Sequence, residues 1–263
     1  MPEPAVKKSV EKIKDAAQQA AKVETTSVPR REYRTIAFQV ALFSAIGAFA
    51  MLTFMVKSTP LFPLDLQITR ALQAINLPIF AAAMNLISWP GFSPQSFIIS
   101  AIIVLIIYLF GLHWEAVTAL VASLLPPIVN VLVKNLIQRP RPTVDLVHVF
   151  RILNSYSFPS GHVMFYTGFF GFIWFLVFTI MKRSWRRTLL LIFFGILIAL
   201  IGASRIYVGQ HWASDVLGAY LLGGLILLAI LQFYRWGKKR FFVHQPVAPQ
   251  DPAAVQGGSR SSS

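Results

Sequence analysis

Apolar residues fall in six long runs, at about 35–56, 96–112, 115–133, 163–181, 188–203 and 213–234. A helix needs roughly 20 such residues to cross a bilayer core. The pattern therefore predicts an all-α, polytopic membrane protein with about six transmembrane helices in one bundle. Between the first two runs, segment 58–95 carries Pro60, Pro63, Pro78 and Pro90, with amphipathic pieces such as Leu64–Ile75. Its length and periodicity suit helices lying along one membrane face. No internal repeat is evident. The expected organisation is a basic cytoplasmic segment at 1–34, a membrane domain at 35–240 and a flexible cytoplasmic tail at 241–263. The first run starts too late and is too long for a signal-peptide core, so it reads as a retained helix. Before it, Val6, Val10, Ile13, Ala17 and Ala20 have a weak helical period. That period fits a helix on an anionic membrane surface as well as a solvated tail.

Composition agrees with the pattern. Hydrophobic residues make up 56% of the 263 and charged residues only 13%, about half the charged share of a soluble domain. A net charge of +14 would suggest nucleic acid as a partner, but the basic residues sit between the apolar runs and at the two ends. Such positions set orientation in a membrane. With the N-terminus inside, the inner segments hold 17 of the 24 Lys and Arg residues. Both termini are thus expected in the cytoplasm of a plasma (inner) membrane. The outer seven are Lys57, Arg70, Lys134, Arg139, Arg141, Arg151 and Arg205. Their cluster at 134–151, with Arg205, runs against the topological trend and needs another reason. There is no cysteine, so neither disulfide nor thiol chemistry arises.

Three polar segments abut helix ends, all on the outer face of this topology: Lys134 to Pro142, Phe158 to His162, and Ser204 to Asp215. A phosphate dianion needs cations, preferably the planar fork of arginine, and Lys134, Arg141 and Arg205 can supply them. It also favours free backbone N–H groups at a helix start. Pro159-Ser160-Gly161 provides such a start, with a capping hydroxyl and a glycine that permits close approach. Cleavage needs a nucleophile and an acid, and two histidines, His162 and His211, are available. Asp215 follows His211 by four residues, within reach of its imidazole on a helical turn. There it would fix the tautomer and support the charge that develops on attack. The outer carboxylates, Asp65, Asp145 and Asp215, are too few for a two-metal site. No metal or other cofactor is expected.

These segments resemble the three signature motifs of the type 2 phosphatidic acid phosphatase superfamily, the lipid phosphate phosphatases that share a core with vanadium-dependent haloperoxidases. Lys134 with Arg141-Pro142 is similar to the first motif, Ser160-Gly161-His162 to the second, and Ser204-Arg205 with His211 and Asp215 to the third. The resemblance implies that His211 forms a phosphohistidine and that His162 is the general acid. It further implies that Lys134, Arg141, Ser160, Gly161 and Arg205 bind phosphate.

Other polar residues are expected outside the site. His113 falls in a cytoplasmic turn, His244 in the tail, and His148 on a loop surface. Arg139 and Arg151 could reach a pyrophosphate or headgroup but are not assigned to it. For Tyr156, Phe158, Tyr207 and Trp212, interfacial anchoring and substrate contact are equally open. The aromatic-rich fourth helix reads as packing. The expected partner is a lipid phosphate in the bilayer: phosphatidic acid, phosphatidylglycerol phosphate or undecaprenyl pyrophosphate. No nucleic acid and no obligatory protein partner are inferred. The rival readings are a vanadate-dependent haloperoxidase and a catalytically inactive lipid-phosphate binder or transporter. Six apolar spans argue against the first, and intact His162, His211 and Asp215 against the second.

Overall fold

The computed structural model describes Tyr33 and residues 35–242. The basic N-terminal segment and the tail after 242 lie outside the described residues. All regular structure among those described is helical: α1 (Thr35–Ser58), α2 (Pro63–Gln73), α3 (Pro78–Ser88), α4 (Gln95–Leu109), α5 (His113–Ile137), α6 (Gly161–Phe165), α7 (Gly171–Ile180), α8 (Trp185–Tyr207) and α9 (Ala213–Phe241). One π-helical turn, Tyr166–Phe170, joins α6 to α7, so the two form a single apolar span, Gly161–Ile180.

Five spans are long and apolar enough to cross a bilayer. The sixth expected span is α4, which has 15 residues. At 1.5 Å per residue it reaches only about 22 Å, less than the hydrocarbon thickness of about 30 Å. It packs antiparallel to α5 across a short turn in which Gly111 takes a positive φ of 76°. The expected surface segment becomes α2 and α3, bent by 119°. Each begins with a proline, tolerated there because the first-turn N–H has no helical partner.

Direction follows from contacts. Asp65 of α2 bonds Ser214 at the start of α9, and Ser88 of α3 bonds Ser204 near the end of α8. The α2–α3 pair therefore stays at the end of the bundle that α1 reaches. The C-terminal ends of α5 and α8 and the N-terminal ends of α6 and α9 meet at this same end. The start of α1 and the end of α9 lie at the other.

Large apolar side chains such as Phe43, Phe54, Leu109, Leu132 and Ile192 are exposed around the bundle, a surface suited to lipid rather than water. Inside, α6, the π turn and α7 form the centre: Val163, Met164, Phe165, Tyr166, Phe169, Phe170 and Phe172 are buried together. The aromatic-rich Gly161–Ile180 span is largely packing, as expected. Pro126 and Pro127 lie within α5, where proline removes a helical hydrogen bond and bends the axis. Gly168 of the π turn faces Pro126, and a Cβ added there would lie 2.5 Å from Pro126 Cγ. At Gly218 a Cβ would meet the Phe158 ring. Small residues bring helix backbones together where there is no water to drive association.

A Gly168→Val substitution should therefore destabilise the protein by about 1–3 kcal/mol, the usual cost of overpacking. Thermal unfolding in detergent measures this. An unchanged unfolding temperature would mean that the contact between α5 and the π turn is looser than described.

Candidate active site

Four helix ends bring their polar residues together. From α5, Lys134 donates to the Tyr156 carbonyl at 2.6 Å. In the following loop Arg141 donates from Nε to the Ser155 carbonyl at 2.7 Å and from Nη1 to the Gln210 carbonyl at 2.6 Å. That same Nη1 lies 3.4 Å from His211 Nε2. Buried Arg205 of α8 donates to Ser88 Oγ at 2.9 Å and stacks over Phe92, its Cζ 5.3 Å from the ring centre. Serines and backbone carbonyls thus hold three cations without neutralising them, as an anion site requires.

Ser160 caps α6. Its backbone N–H reaches the Asp215 carbonyl at 3.3 Å, which ties the start of α6 to that of α9. Asn130 of α5, buried among apolar residues, donates to the Pro159 carbonyl at 2.9 Å. Its Oδ1 would sit 3.0 Å from any Cβ at Gly161, so a larger residue there would press on the amide. The His162 ring meets Phe92 edge-on at 4.8 Å between centres and lies against Gly91, where a Cβ would overlap it.

Gly209 turns the chain from α8 to His211 with a φ of 67°, and a Cβ there would overlap the His148 carbonyl. His211 Nδ1 faces Asp215 Oδ2 at 3.5 Å, too long and poorly aligned for a hydrogen bond. The carboxylate has nearer partners. Its Oδ2 accepts from the Trp212 N–H at 2.8 Å and from the Ser157 hydroxyl, and Oδ1 accepts from Arg139 at 2.5 Å. Among the described residues, the buried polar atoms without a hydrogen-bond partner in the protein include Ser160 Oγ, His162 Nε2, Arg205 Nε, Gln210 Oε1 and His211 Nδ1 of this site. In a native interior such groups call for a partner outside the protein, water or ligand. Burial, followed by the charges of Arg141, Lys134 and Arg205, holds the His211 imidazole well below the usual histidine range, with the Ser157 backbone opposing.

The structure thus gathers every residue of the expected site, Lys134, Arg141, Ser160, Gly161, His162, Arg205, His211 and Asp215, at one end of the bundle. His148 stays outside the cluster, its carbonyl accepting from Gln73 Nε2 at 2.7 Å. Phe158 and Trp212 are buried in the protein, so interfacial anchoring does not account for them, whereas Tyr156 is exposed. Arg139 and Asp65 are the residues the sequence reading passed over. Arg139 is sealed from water and bonds both Asp65 and Asp215. Its signal was its place among the cations found against the topological trend. Asp65 gave none beyond being the sole acid of α2.

The fold defines a class, the polytopic membrane proteins whose polar chemistry is gathered at one face. Comparison with known proteins narrows it. Residues 115–239 match the PAP2 superfamily. Phosphatidylglycerophosphatase B of Bacillus subtilis is 31% identical over 196 residues, covering 73% of this chain and 91% of the relative. The Haemophilus influenzae protein of the same name is 34% identical over 98 residues, which is 37% of this chain and 40% of that protein. The crystal structure of a transmembrane PAP2-type phosphatidylglycerolphosphate phosphatase from Bacillus subtilis superposes with a TM-score of 0.66 at 27% identity. It covers 76% of this chain and 98% of that one. Aquifex aeolicus LpxE shares the fold, with a TM-score of 0.53 at 21% identity over 65% of this chain and 96% of its own. The chain belongs to the PAP2 superfamily, and it is a multi-pass membrane phosphatase of the lipid phosphatase kind.

The depressed His211 has a consequence for stability. Folding favours its neutral form, while the unfolded imidazole titrates near the ordinary value of 6.5. Its contribution is therefore complete above about pH 6.5 and is lost as pH falls below that. Between pH 7 and pH 5 the wild-type unfolding temperature should fall more than that of a His211→Gln variant. Equal falls in the two proteins would mean that His211 is not held neutral.

Proposed function

We propose that this enzyme hydrolyses a lipid phosphomonoester, phosphatidylglycerol phosphate before other candidates, in two steps through a phosphohistidine on His211. The observation that carries the mechanism is the direction of the two imidazole nitrogens. Nε2 faces the cationic cluster at Arg141, while Nδ1 faces Asp215. A phosphate held by Lys134, Arg141, Arg205 and the N–H groups at the start of α6 presents its phosphorus to Nε2. Attack forms the N–P bond and breaks the bond to the leaving oxygen, which takes a proton from His162. The neutral His162 then accepts a proton from water as that water attacks phosphorus. The N–P bond breaks, and phosphate leaves. The three cations supply the charge stabilisation. Metal has no step here, since Asp65 and Asp215, two of the three outer carboxylates, are already engaged by Arg139.

The substrate reading rests on two supports. Both relatives are named phosphatidylglycerophosphatase B. In addition, a groove of about 490 Å³ runs between α4 and α5 to His162, lined in part by Ser96, Ser100, Ala101, Ser123, Asn130 and Gly161. It reaches the proposed acid from the bilayer side, where the tail of a leaving lipid alcohol would lie. Positive-inside bias, with 17 of 24 basic residues on the inner segments, supports cytoplasmic termini and a site at the outer leaflet of the plasma membrane.

Purified protein in detergent, supplied with phosphatidylglycerol phosphate, phosphatidic acid and undecaprenyl pyrophosphate, tests the substrate. The first should have the highest kcat/KM, and EDTA should leave turnover intact. Restoration by Mg²⁺ or Zn²⁺ after loss to EDTA would overturn the mechanism. With p-nitrophenyl phosphate, a good leaving group, His211→Ala should lose both steps. His162→Ala should release one equivalent of nitrophenolate and then stall as an acid-labile phosphoenzyme. Turnover by His211→Ala would remove it as the nucleophile.

The groove has its own test. Ala101→Trp should raise KM for long-chain lipid phosphates while sparing p-nitrophenyl phosphate. Displacing even two methylenes is worth on the order of tenfold. Equal effects on both substrates would place the lipid tail elsewhere. A reporter fused after Arg240 should read as cytoplasmic and a tag between α2 and α3 as external; the reverse pair would move the site to the inner leaflet.

A further inference from the structure

Arg139 and Arg141 are two residues apart, yet their guanidinium groups face different partners. Arg141 is turned toward His211 Nε2 and meets no carboxylate among the described residues, whereas Arg139 is bound between two carboxylates. Its Nε donates to the Pro60 carbonyl at 2.8 Å, Nη1 to Ser214 Oγ at 2.7 Å and to Asp215 Oδ1 at 2.5 Å, and Nη2 to Asp65 Oδ2 at 2.7 Å. The Phe62 ring, 5.5 Å from Cζ, closes the arrangement. Asp65 in turn grips the first turn of α9, accepting from Ser214 N at 2.8 Å and from Ser214 Oγ at 2.6 Å. Three buried charges therefore follow one another: Asp65, Arg139, Asp215. The last has one oxygen on Arg139 and the other toward His211.

We propose that Arg139, countered by Asp65, is a positioning residue that sets how strongly Asp215 acts on His211. An arginine bound to one carboxylate oxygen draws negative charge away from the other. Asp65 weakens that draw by competing for the same guanidinium. The three groups together carry one net negative charge behind His211. This favours the imidazolium that forms as His211 attacks, without holding the resting imidazole protonated. The remaining charged or titratable groups facing His211 are Arg141 from the loop after α5, Lys134 from α5, Arg205 from α8 and His162 from α6. These stay constant in the test below. The proposal rests on His211 being the nucleophile.

The charge order makes a signed prediction for the acid limb of the kcat/KM profile, measured on the full-length protein in detergent with p-nitrophenyl phosphate. Asp65→Asn removes the outer negative charge and leaves Asp215 neutralised by Arg139. The limb should move to lower pH by about one unit, a tenfold change in the protonation equilibrium, and kcat should fall with KM unchanged. Arg139→Gln leaves two unopposed carboxylates, and the limb should move to higher pH. The double variant restores one net negative charge, and the limb should return toward wild type. Substrate ionisation is common to all four proteins and cancels. Loosened packing would lower activity in both single variants without moving their limbs in opposite directions. Limbs that stay in place, or that move together, overturn the proposal. Should Arg139→Gln fail to fold, Asp65→Asn decides alone, and a limb that does not move down overturns it. Trapping wild-type phosphoenzyme separates the two readings. If no phosphohistidine forms, the nucleophile assignment has failed; if it forms and the limbs do not respond, only the role of Arg139 has.

Discussion

A guanidinium sealed from water has to be matched by counter-charge and hydrogen-bond acceptors on every side, and in this protein that requirement joins three parts of the chain. Arg139, in the loop after α5, meets it with Asp65 from α2, Asp215 and Ser214 from α9, and the Pro60 carbonyl ahead of α2. Removing one partner of such a buried pair typically costs about 3–5 kcal/mol, because a charge is left uncompensated. The short helix α2 is thus fastened to the bundle by electrostatics as well as by Ile68 and Leu72 packed on the apolar core. Asp215 takes part in this joint and also faces His211. The geometry of the site is consequently inseparable from the seating of α2.

The opposite end of the bundle has a smaller joint of the same kind. Lys238 of α9 pairs with buried Glu115 of α5 at 2.6 Å, and Tyr234 donates to the same carboxylate at 3.0 Å. Between the two ends the contacts are those of aromatic rings, small residues and the prolines of α5. Apolar packing in a bilayer has little hydrophobic force to separate right from wrong pairings. Polar joints at both ends can supply the register that packing alone leaves loose.

Gathering three cations without carboxylate partners at one mouth gives the site two sides of opposite character. On one lie Lys134, Arg141 and Arg205, fixed by carbonyls and serine hydroxyls so that their charge stays available. On the other, a groove between α4 and α5, lined by residues such as Phe97, Leu120 and Leu124, leads to His162. A substrate with an anionic head and an apolar tail satisfies both at once. The membrane phosphatase class established by the family match is therefore physically consistent with this division.

Much of this was determined by the sequence itself. Long apolar runs have few alternatives to crossing a membrane, and their order predicted the helices, with differences of a few residues at their ends and a short α4. The motif residues Lys134, Arg141, Ser160, Gly161, His162, Arg205, His211 and Asp215 sit next to helix ends that alternate in direction. Their convergence at one face was therefore implied by topology. What only the tertiary structure decided is where buried partners come from. Asp65 and Arg139 are separated by 74 positions, and an ion pair at that distance leaves no trace in periodicity, composition or local spacing. The burial of Phe158 and Trp212 depends likewise on α9 glycines and loop carbonyls far along the chain. Local pattern records which face of a helix is apolar. It does not record which charge on one segment will neutralise which charge on another, because that choice is made by three-dimensional packing.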